Sequence, residues 1–142
     1  MQREDLEKEA FDYFYNGFCC SEAISKTIID HFAADPKGYP VKVASGFCGG
    51  IGRSHEDICG AFTGGVIAAG YLFGRMEQGK DLRQACQVIL EYREAFVEAF
   101  GSTNCAAILK SLGDQEKFIK CKRLTGRAAG LLADIIARHL EK

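Results

Sequence analysis

Both prolines of this 142-residue chain, Pro36 and Pro40, fall in one short stretch. Proline ends helices because it lacks the backbone N–H and clashes with the preceding turn. The sequence on either side is therefore free to run as long helices, and its apolar residues are spaced for that. Leu6, Ala10, Tyr13 and Phe14 share one face of a helix over 4–15, closed by Asn16-Gly17. Ala23, Ile24, Ile28 and Phe32 stripe a second helix, from Cys20 or Ser21 to Phe32. Asp35-Pro36-Lys37-Gly38 is a turn by composition, and Val41–Ala44 a helical turn. Ser54 faces an acid three residues on, the pattern of a capping box, and predicts a third helix that carries Cys59 and runs to about Phe73. Asp81 caps a fourth, to Phe100, with Leu82, Cys86, Ile89, Phe96 and Phe100 inward. A short helix starts at Cys105 and stops at Gly113. Asp114 caps the last, which includes Cys121 and turns Leu124, Ala128, Leu132 and Ile136 to the core. Nothing alternates as a strand does. The expectation is an all-α fold, a compact single-domain bundle of about five helices over residues 1–142.

Composition narrows the function. The net charge is -1 with acids and bases mixed, so no basic face suggests nucleic acid. The charged start, Met-Gln-Arg-Glu-Asp, reads as no signal peptide. The longest uncharged stretch, Ile58 to Gly74, is 17 residues and rich in glycine, and reads as a buried helix rather than a membrane span. With no secretion signal and an odd number of cysteines, the expected compartment is a reducing cytoplasm, where thiols or metal thiolates outlast disulfides.

Sulfur is the chemistry the chain holds in quantity: Cys19, Cys20, Cys48, Cys59, Cys86, Cys105 and Cys121, with no Cys-x-x-Cys. Cys20, Cys59 and Cys105 fall at predicted helix starts, where free N–H groups and the helix dipole favour a thiolate and lower its pKa. Cys121 shares the face of Leu124, Ala128 and Leu132. A hairpin turning at Gly113 brings it towards Cys105. Cys86 reads as a buried small hydrophobe. In the vicinal pair, Cys20 continues the apolar stripe through Ile24 and Ile28, and Cys19 reads as incidental.

Around Cys48, Gly46-Phe-Cys-Gly-Gly-Ile-Gly52 is a glycine-dense loop. It is neither a dinucleotide fingerprint nor a P-loop, and reads as a close-packed turn. His55 lies four residues before Cys59, so a shared helical face would let both hold a metal; as a cap residue it would face solvent. His31 sits near a helix end, and His139 lies in a polar tail and reads as solvated. Gly60, Gly64 and Ala68 fall four apart, a face that lets another helix come close.

Cys20-Ser-Glu-Ala, Cys48-Gly-Gly-Ile-Gly-Arg, Cys59-Gly-Ala-Phe-Thr-Gly, Gly-Ser-Thr-Asn-Cys105 and Cys121 together resemble the redox-active family named for its C-GCAxxG-C-C pattern. The resemblance runs from about Tyr15 to Arg127. It implies a small helical prokaryotic protein whose family cysteines are Cys20, Cys59, Cys105 and Cys121, with Gly60, Ala61 and Gly64 completing the central motif. Cys48 adds a fifth sulfur, while Cys19 and Cys86 lie outside the pattern. No Cys-x-x-Cys-His is present to attach a haem.

Three functions follow. In the first, Cys20, Cys59, Cys105 and Cys121 are the catalytic thiols of a thiol-disulfide redox protein. Cys59 attacks, Cys105 and Cys121 are a second couple or the resolving pair, and the partner is a redox protein or a small thiol; no cofactor is required. In the second, the same four cysteines, with Cys48, hold zinc or an iron–sulfur centre. The spacings of 39, 46 and 16 residues are unlike the local pairs of zinc ribbons and ferredoxins. In the third, the cysteines are incidental, and the glycine face with Phe11, Phe14, Phe96 and Phe100 serves packing or assembly into a homo-oligomer.

Overall fold

The helical periodicities are realised as six α-helices in a computed structural model that describes residues 2–141. They are α1 (Arg3–Tyr15), α2 (Cys20–Phe32), α3 (Gly60–Phe73), α4 (Arg83–Phe100), α5 (Cys105–Leu112) and α6 (Ile119–Leu140), with 3₁₀ turns at Pro36–Gly38 and Val41–Phe47. The count is six α-helices against the about five expected, and it includes the short helix read from Cys105. Among the described residues there is no strand, only one antiparallel bridge between Ile58 and Asn104. None of the described helices is long and apolar enough to cross a membrane.

Close approach of backbones organises the bundle. A Cβ placed on Gly64 would run into the carbonyl oxygen of Ser21, so α3 lies directly on α2. The glycine face read from the sequence is therefore spent inside the molecule and is not free to join a second copy. At the other end, a Cβ on Gly126 would stand 2.7 Å from the Glu7 oxygen, which seats α1 on α6. Arg3 bridges the same pair, 2.9 Å from Glu7 and 2.7 Å from Asp134. Ile24, Ile28, Leu132 and Ile136 are fully buried between these layers.

The buried face of α4 is Ala85, Val88, Tyr92 and Phe96, and Ile89 and Phe100 of the predicted stripe pack half-buried against the core. Leu82 and Cys86 are exposed instead. Leu82 precedes the helix as its N-cap, so its direction does not set the face. Phe62 of α3 packs on both Tyr92 and Phe96, with centroids 5.4 Å apart in each case. The Tyr92 hydroxyl donates to the Ala61 carbonyl at 2.7 Å, and both residues are fully buried. Tyr92→Phe is expected to lower stability by about 1 kcal/mol in urea unfolding, the net value of one buried hydrogen bond. An unchanged midpoint would mean that the Ala61 carbonyl gains nothing from the hydroxyl.

His139 is not solvated. It is buried on α6, where its ring meets the Glu91 carboxylate of α4 and lies beside Phe73.

Candidate functional site

Four helices begin at one place, and each brings a cysteine. Cys20 is the first residue of α2, Cys59 the N-cap of α3, Cys105 the first residue of α5, and Cys121 the third of α6. All four line a cavity of about 390 Å³. Cys19 and Cys48 line it too, so six of the seven sulfurs share one chamber and only Cys86 stands apart.

Local chemistry explains each placement. The bridge between Ile58 and Asn104 carries two backbone bonds, Cys59 N–H to Thr103 O and Cys105 N–H to Asp57 O, both 2.7 Å. It holds the start of α3 against the start of α5. Asn104 locks the join: its Oδ1 caps Ala107 N–H at 3.0 Å and its Nδ2 donates to Glu56 O at 2.8 Å. Ser54 does not open α3. Its hydroxyl donates to Gly50 O and accepts the Glu56 N–H, a local turn that leaves the helix to start at Gly60. Asp114 does not cap α6 either. Lys117 and Phe118 are left-handed, with φ of 50° and 58°, and the helix begins after them. Gln115 reaches across instead: its Oε1 accepts Lys120 N–H at 2.8 Å and Cys121 N–H at 3.0 Å, and its Nε2 donates to Cys121 Sγ at 3.2 Å.

The glycine loop is a close-packed turn. Gly49, Gly50, Ile51, Gly52 and Arg53 all have φ between 54° and 73°, a run of left-handed residues that is costly for any side chain and cheapest for glycine. The run presses the loop onto the sulfurs. A Cβ on Gly50 would stand 2.7 Å from Cys105 Cβ, and one on Gly60 would collide with Cys20 Sγ. The backbone N–H groups of Gly49 and Gly60 are directed at Cys20 Sγ. His55, itself left-handed, is not on the helix with Cys59; its ring stacks on Phe118 at 5.7 Å at the edge of the cavity.

The electrostatics reverse the expected pKa shift. Burial pushes the Cys59 thiol up to about 12, with the nearby Cys20 and Cys105 adding to it; the Ala61 and Phe62 N–H groups pull the other way and do not compensate. Cys105 is pushed up to about 11 by burial and by Cys20 and Cys121. Burial also raises Cys20, against its backbone donors, and raises Cys121, against the Gln115 amide. Cys20 is the hub, since its charge acts on the other three. Desolvation outweighs the helix N-terminus: even the four backbone N–H groups that act on Cys20 do not offset its burial, Cys59 has two and Cys105 has none. The cavity wall carries Arg53 and His55 as its cationic-type side chains and has no acid among the described residues.

Cys19 and Cys48 are joined as a disulfide, with Cα atoms 5.7 Å apart. Cys19 is therefore not incidental, and the expectation of resting thiols throughout is corrected at this pair. Its signal was present in the sequence: a second cysteine beside Cys20 and a second outside the family pattern at Cys48.

A family model described as "Putative redox-active protein (C_GCAxxG_C_C)" matches residues 18–135. The chain belongs to this family. The match spans all six cavity cysteines of this C_GCAxxG_C_C protein, from Cys19 to Cys121. No curated protein and no solved structure matches it.

Proposed function

We propose that this C_GCAxxG_C_C protein is a thiol-disulfide redox protein that works at the six-sulfur cavity. One observation supports the reading above the rest: a formed disulfide, Cys19–Cys48, and four free thiols line the same chamber. Cys19 is half-buried and Cys48 buried, so an incoming thiolate meets Cys19 first. Attack on Cys19 Sγ forms a mixed disulfide and releases Cys48 as a thiolate, which takes up a proton. A second external thiolate attacks the external sulfur and frees Cys19. Two external thiols become one disulfide, and the Cys19–Cys48 bond becomes two thiols. Cys20, Cys59, Cys105 and Cys121 extend the path inward. One of them, deprotonated, opens the Cys19–Cys48 bond, and a second closes a new disulfide among the four, so one disulfide is conserved at each pass.

Residue-resolved thiol trapping across a redox buffer series tests this. The free-thiol count is expected to change by two in a single step, with Cys19 and Cys48 changing together. A count that stays constant from reducing to mildly oxidising conditions ends the proposal.

A second reading places a metal or iron–sulfur centre on Cys20, Cys59, Cys105 and Cys121. It is favoured by their electrostatics, since a cation between the four sulfurs would offset the burial that raises their pKa values and, at Cys59, Cys105 and Cys121, the neighbouring sulfur charge that adds to it. No three of these sulfurs lie within 4.8 Å of one another. A single zinc ion with Zn–S bonds of about 2.3 Å sets its sulfurs about 3.8 Å apart, so the spread suits a larger centre better than one zinc. Elemental analysis and an absorption spectrum after anaerobic purification decide it: a stoichiometric metal lost in Cys20→Ser and Cys121→Ser establishes this reading, and a metal-free protein ends it.

A further inference from the structure

The Cys19–Cys48 pair has a third partner. Glu22, one turn into α2, puts its carboxylate beside the two sulfurs. One ligand atom from each of Cys19, Glu22 and Cys48 lies within 4.8 Å of the others, the one such group among the described residues. Glu22 Oε1 accepts the Cys19 N–H at 3.0 Å and lies 4.0 Å from Cys48 Sγ, while Oε2 accepts the Ser45 hydroxyl at 2.6 Å. These bonds orient the carboxylate and occupy two of its roughly four lone-pair positions. The Ser21 hydroxyl lies 3.4 Å from Cys19 Sγ and 3.7 Å from Cys48 Sγ, and donates to Ala44 O at 2.7 Å.

We propose that Cys19, Glu22 and Cys48 form a binding site for a zinc-like divalent cation in the reduced protein, and that the disulfide seen here is its metal-free, oxidised form. Two thiolates and one carboxylate suit zinc or cadmium, and donors about 2.0–2.3 Å from such an ion stand within about 4 Å of one another. In the oxidised form the two sulfurs are bonded to each other and a Glu22 oxygen lies 4.0 Å from Cys48 Sγ, so reduction has to part the sulfurs by only about 2 Å to open the site. A fourth position faces the cavity that both cysteines line, open to water or to a substrate thiolate. The metal and the disulfide exclude each other, because each uses both sulfurs. The exchange balances: the metal-bound thiolates of Cys19 and Cys48 and one external disulfide give the Cys19–Cys48 bond, two external thiolates and a released divalent cation. The two protein sulfurs lose one electron each, and the two external sulfurs gain them. The site is separate from the four family cysteines. In the cell it rests on the proposed redox function, which supplies the reduction that opens it.

The test is an anaerobic Co²⁺ titration, read by the thiolate-to-cobalt absorption, of protein reduced with a phosphine and then freed of reductant. The oxidised protein is titrated beside it. Reduced wild type is expected to bind one more equivalent of Co²⁺ than the oxidised protein and than reduced Cys48→Ser. Glu22→Gln keeps an oxygen for the Cys19 N–H and leaves the disulfide able to form, so it answers even if Cys48→Ser fails to fold. It is expected to bind this equivalent about tenfold or more weakly. Any metal held by the four family thiols stays constant among the reduced proteins and drops out of the comparison of wild type with Cys48→Ser and Glu22→Gln. Equal binding by the reduced and oxidised proteins, or full-strength binding by Glu22→Gln, overturns the site. A Cys19–Cys48 bond that small thiols leave intact overturns the redox function alone, since the phosphine-reduced protein still reports on the metal.

Discussion

Gly64→Ala is expected to cost the fold about 3 kcal/mol, the upper part of the usual range for overpacking. The new methyl group would meet Ser21, whose oxygen it overlaps and whose Cα stands 2.8 Å away, as well as the Ile24 methyl group. The obstruction is mostly backbone of a neighbouring helix, so no side chain can swing aside, and α2 must move as a body. Cys20 starts that helix, so the movement also opens the cavity. Gly70→Ala in the same helix is the control. No atom lies within 4 Å of its added Cβ, and the substitution should gain about 0.5–1 kcal/mol from helix propensity. Chemical unfolding of the two variants checks both signs. A Gly64→Ala protein as stable as wild type would show that α2 and α3 have room to part.

Alkylation of Cys59 at pH 7 is expected to be about a thousandfold slower than that of an ordinary thiol. A pKa moved from 9.0 to about 12 leaves that much less thiolate. Exposed Cys86 is the internal reference for the rate. The rate should climb about tenfold per pH unit until about pH 12. Stability carries the same signature. The unfolded chain gives up this proton near pH 9 and the folded chain keeps it to about 12, so in that window the native state binds more protons. Stability due to this group is fully present below pH 9 and falls by about 1.4 kcal/mol per pH unit as pH rises through the window. Cys59→Ser should remove that slope. A Cys59 that reacts as fast as Cys86 at neutral pH would refute the burial argument and restore Cys59 as the attacking sulfur.

The helix starts at Cys20 and Cys105 were legible because turn residues stand before them, Asn16-Gly17 and Ser102-Thr103-Asn104. The family cysteines were legible as a pattern, and the fold gathers them. Their pKa values were not, because a helix N-terminus is visible in sequence while the depth of burial is not. The start of α6 was misread for a similar reason: Gln115 caps it from outside any local motif, across two left-handed residues that nothing in Lys117-Phe118 announces. Cys19 was set aside by a sound rule about adjacent residues on a helix, which fails because Cys19 precedes α2 as its N-cap. On α4, Ile89, Phe96 and Phe100 do face the core, while Leu82 was misplaced because it lies outside the helix as its N-cap.

The seating of α1 on α6 has a consequence for how the molecule is made. Leu6 and Ala10 of α1 are covered by the last helix, and Arg3 finds Asp134 across 131 positions of chain. As the polypeptide leaves the ribosome, the first helix can settle early on α2, where the Tyr13 hydroxyl donates to Asp30 at 2.9 Å, but its seat on α6 is absent until residues 119–140 have emerged. Closure of the bundle therefore waits for α6, and the cysteine chamber, whose fourth wall is the start of that same helix, can be completed only then.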